Sequence, residues 1–448
     1  MAPITHVLEL NGTGLWLAAP AGRAAAEPAW ASFEHDTVVT GRAAAARARL
    51  APLFTSARYL EEPGTEPLVR PKPAARSHAD LIYAQLAAFA NAESLADVPL
   101  LLAVSSAYTL DQLRLLLGIA AAARLAVTGL VDAAVAATAD LPSTERALHL
   151  DLEMNRAVLT ELVRGDGLRR GRVDLARDVG LRALEDALAQ LVARTFVRAT
   201  RFDPLHQAVT EQTVYDRLPG WRESATGGEA VLVLEHAGLR HEAQVSAAQI
   251  AAAAAPLNAQ LLRLVHSARR AGEALTLYLG ARAAAVPGLN TELDAVRDLA
   301  VVALPDGAAA AGALAHAGEI EGPEPSLVSR LSAAAAVAPV GGRAVPAGLT
   351  PTHVIYQGRA YALGAEPLLV GRAAAGPRTI VLSGELAGVS RSHFALQSRD
   401  GDAVLEDLST YGTFVNGERV QRRAHLAAGD RVRVGSPGVE LQLVRLEG

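Results

Sequence analysis

Gly371-Arg372, Val389-Ser390-Arg391-Ser392-His393 and Glu406-Asp407-Leu408-Ser409-Thr410-Tyr411-Gly412-Thr413-Phe414-Val415-Asn416-Gly417 are three blocks of one short stretch near the C-terminus. Each joins an apolar run to glycine or small polar residues. Val354–Tyr356, Pro367–Val370, Thr379–Leu382, Ser392–Leu396, Ala403–Glu406, Thr413–Val415, Arg431–Val434 and Glu440–Val444 read as strands. Many short strands at such spacing predict a β-sandwich. Arg372 then follows a strand, Ser390 and Arg391 precede one, and Thr410 lies in the next loop. Loops at one end of a sandwich make a binding rim on a rigid scaffold. A phosphate needs convergent donors, among them a guanidinium that can make a forked contact. Taken singly, these residues read as surface side chains and a strand-start cap. In this order they read as one anion site.

The blocks resemble the forkhead-associated (FHA) domain, a sandwich that reads phosphothreonine peptides. The resemblance implies that Arg372 and Ser390 contact the phosphate, that Arg391 contacts the phosphate or the peptide flank, and that Thr410 holds the loop and the peptide. It makes His393 a brace between loops, and Gly371, Gly412, Asn416 and Gly417 turn formers. Tyr411 stands where the family usually has Asn, the side chain that holds the peptide backbone. The implied partner is a threonine-phosphorylated protein, with a serine/threonine kinase upstream.

Residues 350–448 form this domain in our reading. Residues 321–349, rich in Ala, Pro and Gly, read as a linker. Residues 1–320 read as a separate α/β domain. Val7–Leu10 and Gly14–Leu17 form a strand pair, Val98–Val104 a buried strand, and Leu110–Leu125 a helix with Thr109 as cap. Ala147–Leu152 and Ala157–Val163 pair again, and Val173–Arg198 reads as a long helix. A hairpin at Val231–Leu234 and Glu242–Val245, a helix at Ala247–Ala271 and a strand at Leu275–Leu279 follow. Arg201–Trp221 is unusually polar and aromatic, and reads as a binding surface or a core insertion. Strand pairs with helices appear twice in tandem, which predicts mixed sheets.

That tandem order resembles the duplicated, ribonuclease H-like actin fold, and most of all the nucleotide-binding domain of the seventy-kilodalton heat-shock chaperones. Glu9, Gly12 and Thr13 would sit at the first phosphate loop, Arg58 at the catalytic lysine, Asp151 at the second phosphate loop and Gly280 at the adenosine loop. Several departures from the family oppose catalysis. Glu9 replaces an aspartate, Asn11 a glycine, Arg58 the lysine and Leu130 the catalytic glutamate. Glu153-Met154-Asn155 replaces the glycines of the second loop, where only bare backbone can approach phosphate closely. Glu9 and Asp151 could hold a cation, but we read them as strand-end acids left from an ancestral site. The expectation is a non-enzymatic scaffold without ATP, magnesium or another cofactor. A chaperone-like ATPase gated by phosphopeptide docking and an actin-like assembly component are the alternatives.

Composition sets the outer bounds. The chain has 448 residues, half of them apolar, a net charge of -5 and no cysteine. No strong field for nucleic acid is expected, and thiolate chemistry is excluded. Residues 1–10 lack the pattern of a signal peptide, and Asp111, Arg114, Arg124 and Asp132 interrupt the most apolar region. Membrane insertion is therefore not expected, and the cytoplasm is the expected compartment. Lys72 is the single lysine, so no Walker loop exists. Abundant Ala and Arg fit a GC-rich bacterial genome.

Overall fold

The computed structural model describes residues 4–22, 24–34, 36–142, 144–270, 273–322, 324–333, 350–356, 359–383, 388–399, 402–416, 418–427, 430–435 and 439–445. The chain divides into two compact units. One comprises Met1–Leu261, Thr276–Ala295 and Val301–Ala338; the other comprises Leu262–Leu275, Val296–Ala300 and Pro339–Gly448.

The same sheet plan is used twice in the N-terminal part. His6–Asn11, Gly14–Ala18 and Ala24–Pro28 form an antiparallel meander. Pro99–Val104 lies parallel to the first of these, and Ala126–Asp132 lies parallel to Pro99–Val104. Parallel neighbours need a crossover, here the helix Leu110–Ala122. Thr109 caps that helix, accepting a bond from the Gln112 amide at 3.2 Å. The second sheet repeats the plan with the meander Arg146–Leu152, Arg156–Arg164 and Leu168–Arg177, followed by the parallel strand Leu275–Leu279 and then Leu299–Ala303. The central strands are apolar on both faces, as Leu100–Val104 and Leu275–Leu279 show, because helices cover both sides.

Two sequence readings need correction, the start of the long helix and the start of the linker. The long helix begins at Leu181; Leu168–Arg177 is the third strand of the meander. Val173 and Leu175 alternate with Arg172 and Asp174, the period of two that marks a strand. Arg201–Trp221 is mostly the helix Ala208–Ala225, with Val214 and Leu218 buried, so the packed-insertion alternative fits its placement. The linker starts later than 321. Leu327–Val328 pairs with Ala126–Asp132, and Arg330–Leu331 pairs with Leu168–Arg177, so each sheet gains an edge strand. Short two-residue pairings lack the periodicity that would reveal them in sequence.

Residues 353–444 form two facing sheets. One has the order Arg359–Ala362, His353–Tyr356, Val439–Val444, Arg431–Val434, Thr413–Val415, Glu418–Arg419. The other runs Thr379–Val381, Leu368–Gly371, Phe394–Arg399, Asp402–Asp407, Arg423–Leu426. Val354, Val370, Phe394, Leu396, Leu405, Val432, Leu441 and Leu443 fill the space between them. Alternation sets this: Arg431 and Arg433 face out while Val432 and Val434 face in.

Candidate functional site

The three sequence blocks meet at one end of the sandwich. The Arg372 amide donates to the Ser390 carbonyl and the Ala373 amide to the Arg391 carbonyl, each at 3.1 Å. The Thr410 amide donates to the Ser390 hydroxyl at 3.3 Å. Backbone bonds thus tie the first two loops together, and the Ser390 hydroxyl ties in the third. Gly371 is required by close approach: a Cβ there would lie 2.1 Å from the Arg391 carbonyl oxygen.

His393 is fully buried beneath this rim. Its Nδ1 accepts from the Ser390 amide at 2.9 Å. The proton therefore sits on Nε2, which donates to the Gly412 carbonyl at 3.2 Å. Burial holds its pKa below the usual histidine value, against smaller upward pulls from the Gly412 carbonyl and Asp407. The ring is a neutral brace between two loops.

The 408–412 turn has its own fixings. The Asp407 carboxylate accepts from the Ser409 amide at 3.1 Å and the Thr413 hydroxyl at 2.7 Å, and the Ser409 hydroxyl accepts from the Gly412 amide at 2.8 Å. Asp407 and Ser409 were not singled out in sequence, although an Asp two residues before a Ser is a turn signal. Gly412 has a φ of 100°, which a side chain would strain. Asn416, at a φ of 51°, accepts from the Arg431 amide and donates to the Asp430 carboxylate, tying its turn to the start of the neighbouring strand. Gly417 lies outside the described residues.

What the rim offers is free charge. Arg372, Arg391 and Thr410 are exposed, Ser390 is half-buried, and Tyr411 is 72% exposed. Among the described residues, neither the Arg372 nor the Arg391 guanidinium has an ion-pair partner. Two uncommitted guanidiniums, a hydroxyl and a rigid turn can receive a doubly charged anion.

Comparison with known families agrees with this geometry. A family model, that of the FHA domain, matches residues 368–435. This segment is an FHA domain. The C-terminal sandwich is accordingly of the FHA type, and phosphothreonine-dependent binding is the role such a domain supports. No curated protein matches the chain.

The residues expected at a nucleotide site come together only in part. Glu9, Asp151 and Gly280 converge, but around Arg282, which the sequence reading had not singled out. Its guanidinium meets both Asp151 oxygens at 3.1 and 2.9 Å, donates to the Leu152 carbonyl at 3.1 Å and lies 3.8 Å from Glu9. Burial pushes the Asp151 carboxyl up, but Arg282 and His149 outweigh it and hold it below the usual range. Burial raises the Glu9 pKa, with Arg282 opposing. The first loop closes on itself: Asn11 donates to Glu9 at 3.0 Å and accepts from the Thr13 amide and hydroxyl at 2.9 and 2.6 Å. A Cβ on Gly12 would lie 2.7 Å from carboxylate oxygens of both Glu61 and Glu153.

Glu153 is wholly buried and paired with Arg156 at 2.6 Å. Glu61 accepts from the Asn155 amide at 2.7 Å and from its side chain at 3.1 Å. Burial first, then the neighbouring Glu153, pushes the Glu61 pKa up to about 7, although the Asn155 bonds pull the other way. Arg58 stays outside this network, bonded to Asp178 at 3.0 Å, and lines a cavity of about 430 Å³ with Trp30, Asn155 and Arg182. Leu130 is buried in its strand. Carboxylates thus crowd the backbone at Gly12 and are themselves paired, Glu153 with Arg156 and Glu61 with Asn155.

Proposed function

We propose that the protein is a non-enzymatic, phosphothreonine-dependent scaffold. The FHA domain docks a partner phosphorylated on threonine by a serine/threonine kinase, and the N-terminal domain holds a second partner. The observation that carries this reading is the pair of uncommitted guanidiniums, Arg372 and Arg391, on loops bonded to each other around Ser390. The sheet plan used twice supports an actin-like N-terminal domain. Its self-paired charges support absence of ATP turnover, because phosphoryl transfer depends on donors left free for the phosphates. No helix among the described residues is long and apolar enough to cross a membrane, and we place the protein in the cytoplasm.

Fluorescence anisotropy tests the docking. A degenerate phosphothreonine peptide pool should bind the full chain, and the same pool with threonine or phosphoserine should bind far more weakly. Equal binding of the unphosphorylated pool would refute the reading.

A further inference from the structure

Tyr411 is the most exposed aromatic side chain among the described residues, at 72%. Its place in the loop is fixed. The neighbouring Thr410 amide bonds Ser390, and the Gly412 amide and carbonyl bond Ser409 and His393. A large, stiff ring is thus presented on a braced turn that is bonded to the loop of Ser390 and Arg391. An exposed tyrosine with few rotatable bonds loses little entropy on binding, which is why such residues serve as contact anchors. Leu408, in the same loop, is also exposed.

The surrounding charge narrows what the ring can take. Arg372 and Arg391 lie on the loops joined to this turn, and Arg419 packs against Gly412: a Cβ there would lie 2.6 Å from its Nε. Three guanidiniums disfavour an incoming lysine or arginine. The electron-rich ring face disfavours a carboxylate. An apolar side chain, proline included, meets neither penalty and removes the ring face from water.

We propose that Tyr411 determines specificity by packing on an apolar residue of the bound peptide close to its phosphothreonine. Tyr411 follows Thr410, whose amide bonds the Ser390 hydroxyl at 3.3 Å, and an extended peptide advances ~3.3 Å per residue, so the contacted residue lies within about three positions of the phosphothreonine. This rests on the phosphothreonine reading, and the test separates the two.

A phosphothreonine peptide array, degenerate at the three positions on either side, is probed with the full chain and with Tyr411→Ala and Tyr411→Phe. The parent should select leucine, isoleucine, phenylalanine or proline at one position. Tyr411→Ala should erase that selection and weaken the best peptide about tenfold, as loss of an anchor does. Tyr411→Phe should keep the selection, since the ring and not the hydroxyl makes the contact. Phosphate-dependent binding with no apolar selection, or a selection intact in Tyr411→Ala, overturns the inference and leaves the docking reading standing. No phosphate-dependent binding by the parent overturns both.

Discussion

The FHA rim and the N-terminal cleft use the same parts to opposite ends. Both place arginines at or just beyond strand ends. At the rim, Arg372 and Arg391 have no ion-pair partner among the described residues, and the loops are held by backbone, hydroxyl and imidazole bonds instead. In the cleft, Arg282 is committed to Asp151 and Arg156 to Glu153, and the glycine approach at Gly12 is filled by carboxylates. A site can bind an anion only if its cations are not already neutralised. The difference shows that a loop's binding capacity is read from what its charges are already doing, not from their presence.

The sharpest way to break this contrast is to remove a cation that the cleft needs. Arg156→Ala strands the wholly buried Glu153 carboxylate. Removing one partner of a buried pair costs about 3–5 kcal/mol. Urea denaturation of the N-terminal transition should show that loss, and adding Glu153→Gln should recover much of it. A loss under about 1 kcal/mol would mean that the pair is not holding the cleft together.

Glu61 gives the next effect. Its pKa is raised in the folded protein to about 7, chiefly by burial. Below the usual glutamate value both states carry the proton. Between that value and about 7 the unfolded chain ionises while the folded one keeps the proton, so stability falls as pH rises through this window and levels above it. The drop is roughly 3 kcal/mol at most. Melting curves from pH 4.5 to 8 should show the slope, and Glu61→Gln should flatten it. An equal slope in that variant would assign the proton elsewhere.

At the rim, Arg372→Ala removes a charge-assisted contact of about 1.5–3 kcal/mol without touching the core. Phosphopeptide affinity should fall tenfold or more while the melting temperature of the domain holds. His393 gives the smallest change. Its folded pKa is lowered, so the stability it lends is present above the unfolded value of about 6.5 and is lost as pH falls below it. His393→Gln should remove the acid slope of the FHA transition.

The rim was legible in sequence because its residues act locally. Gly371, Ser390, His393 and Gly412 each serve a turn or loop end, and their spacing follows from the strands between them. The sandwich strands were legible for the same reason, apart from short ones such as Glu418–Arg419 and Arg423–Leu426. The N-terminal charge cluster was legible only as departures from a resemblance. Nothing near Asp151 in sequence points to Arg282, and nothing near Glu153 points to Glu61, because these pairs form across long separations. Arg156, three residues from Glu153, was the one partner within reach of a local pattern. The edge strands at Leu327–Val328 and Arg330–Leu331 escaped because two residues carry no period.

The central claim is that one region accepts a phosphorylated ligand and the other does not. Calorimetric melting of the full chain with a selected phosphothreonine peptide, and separately with magnesium ATP, tests it directly. A ligand at a hundred times its dissociation constant stabilises the unit that binds it by about 2.7 kcal/mol. The account predicts that the peptide raises the FHA transition and that ATP leaves both transitions unmoved. An ATP-dependent rise in the N-terminal transition, or no response to the peptide, would contradict it.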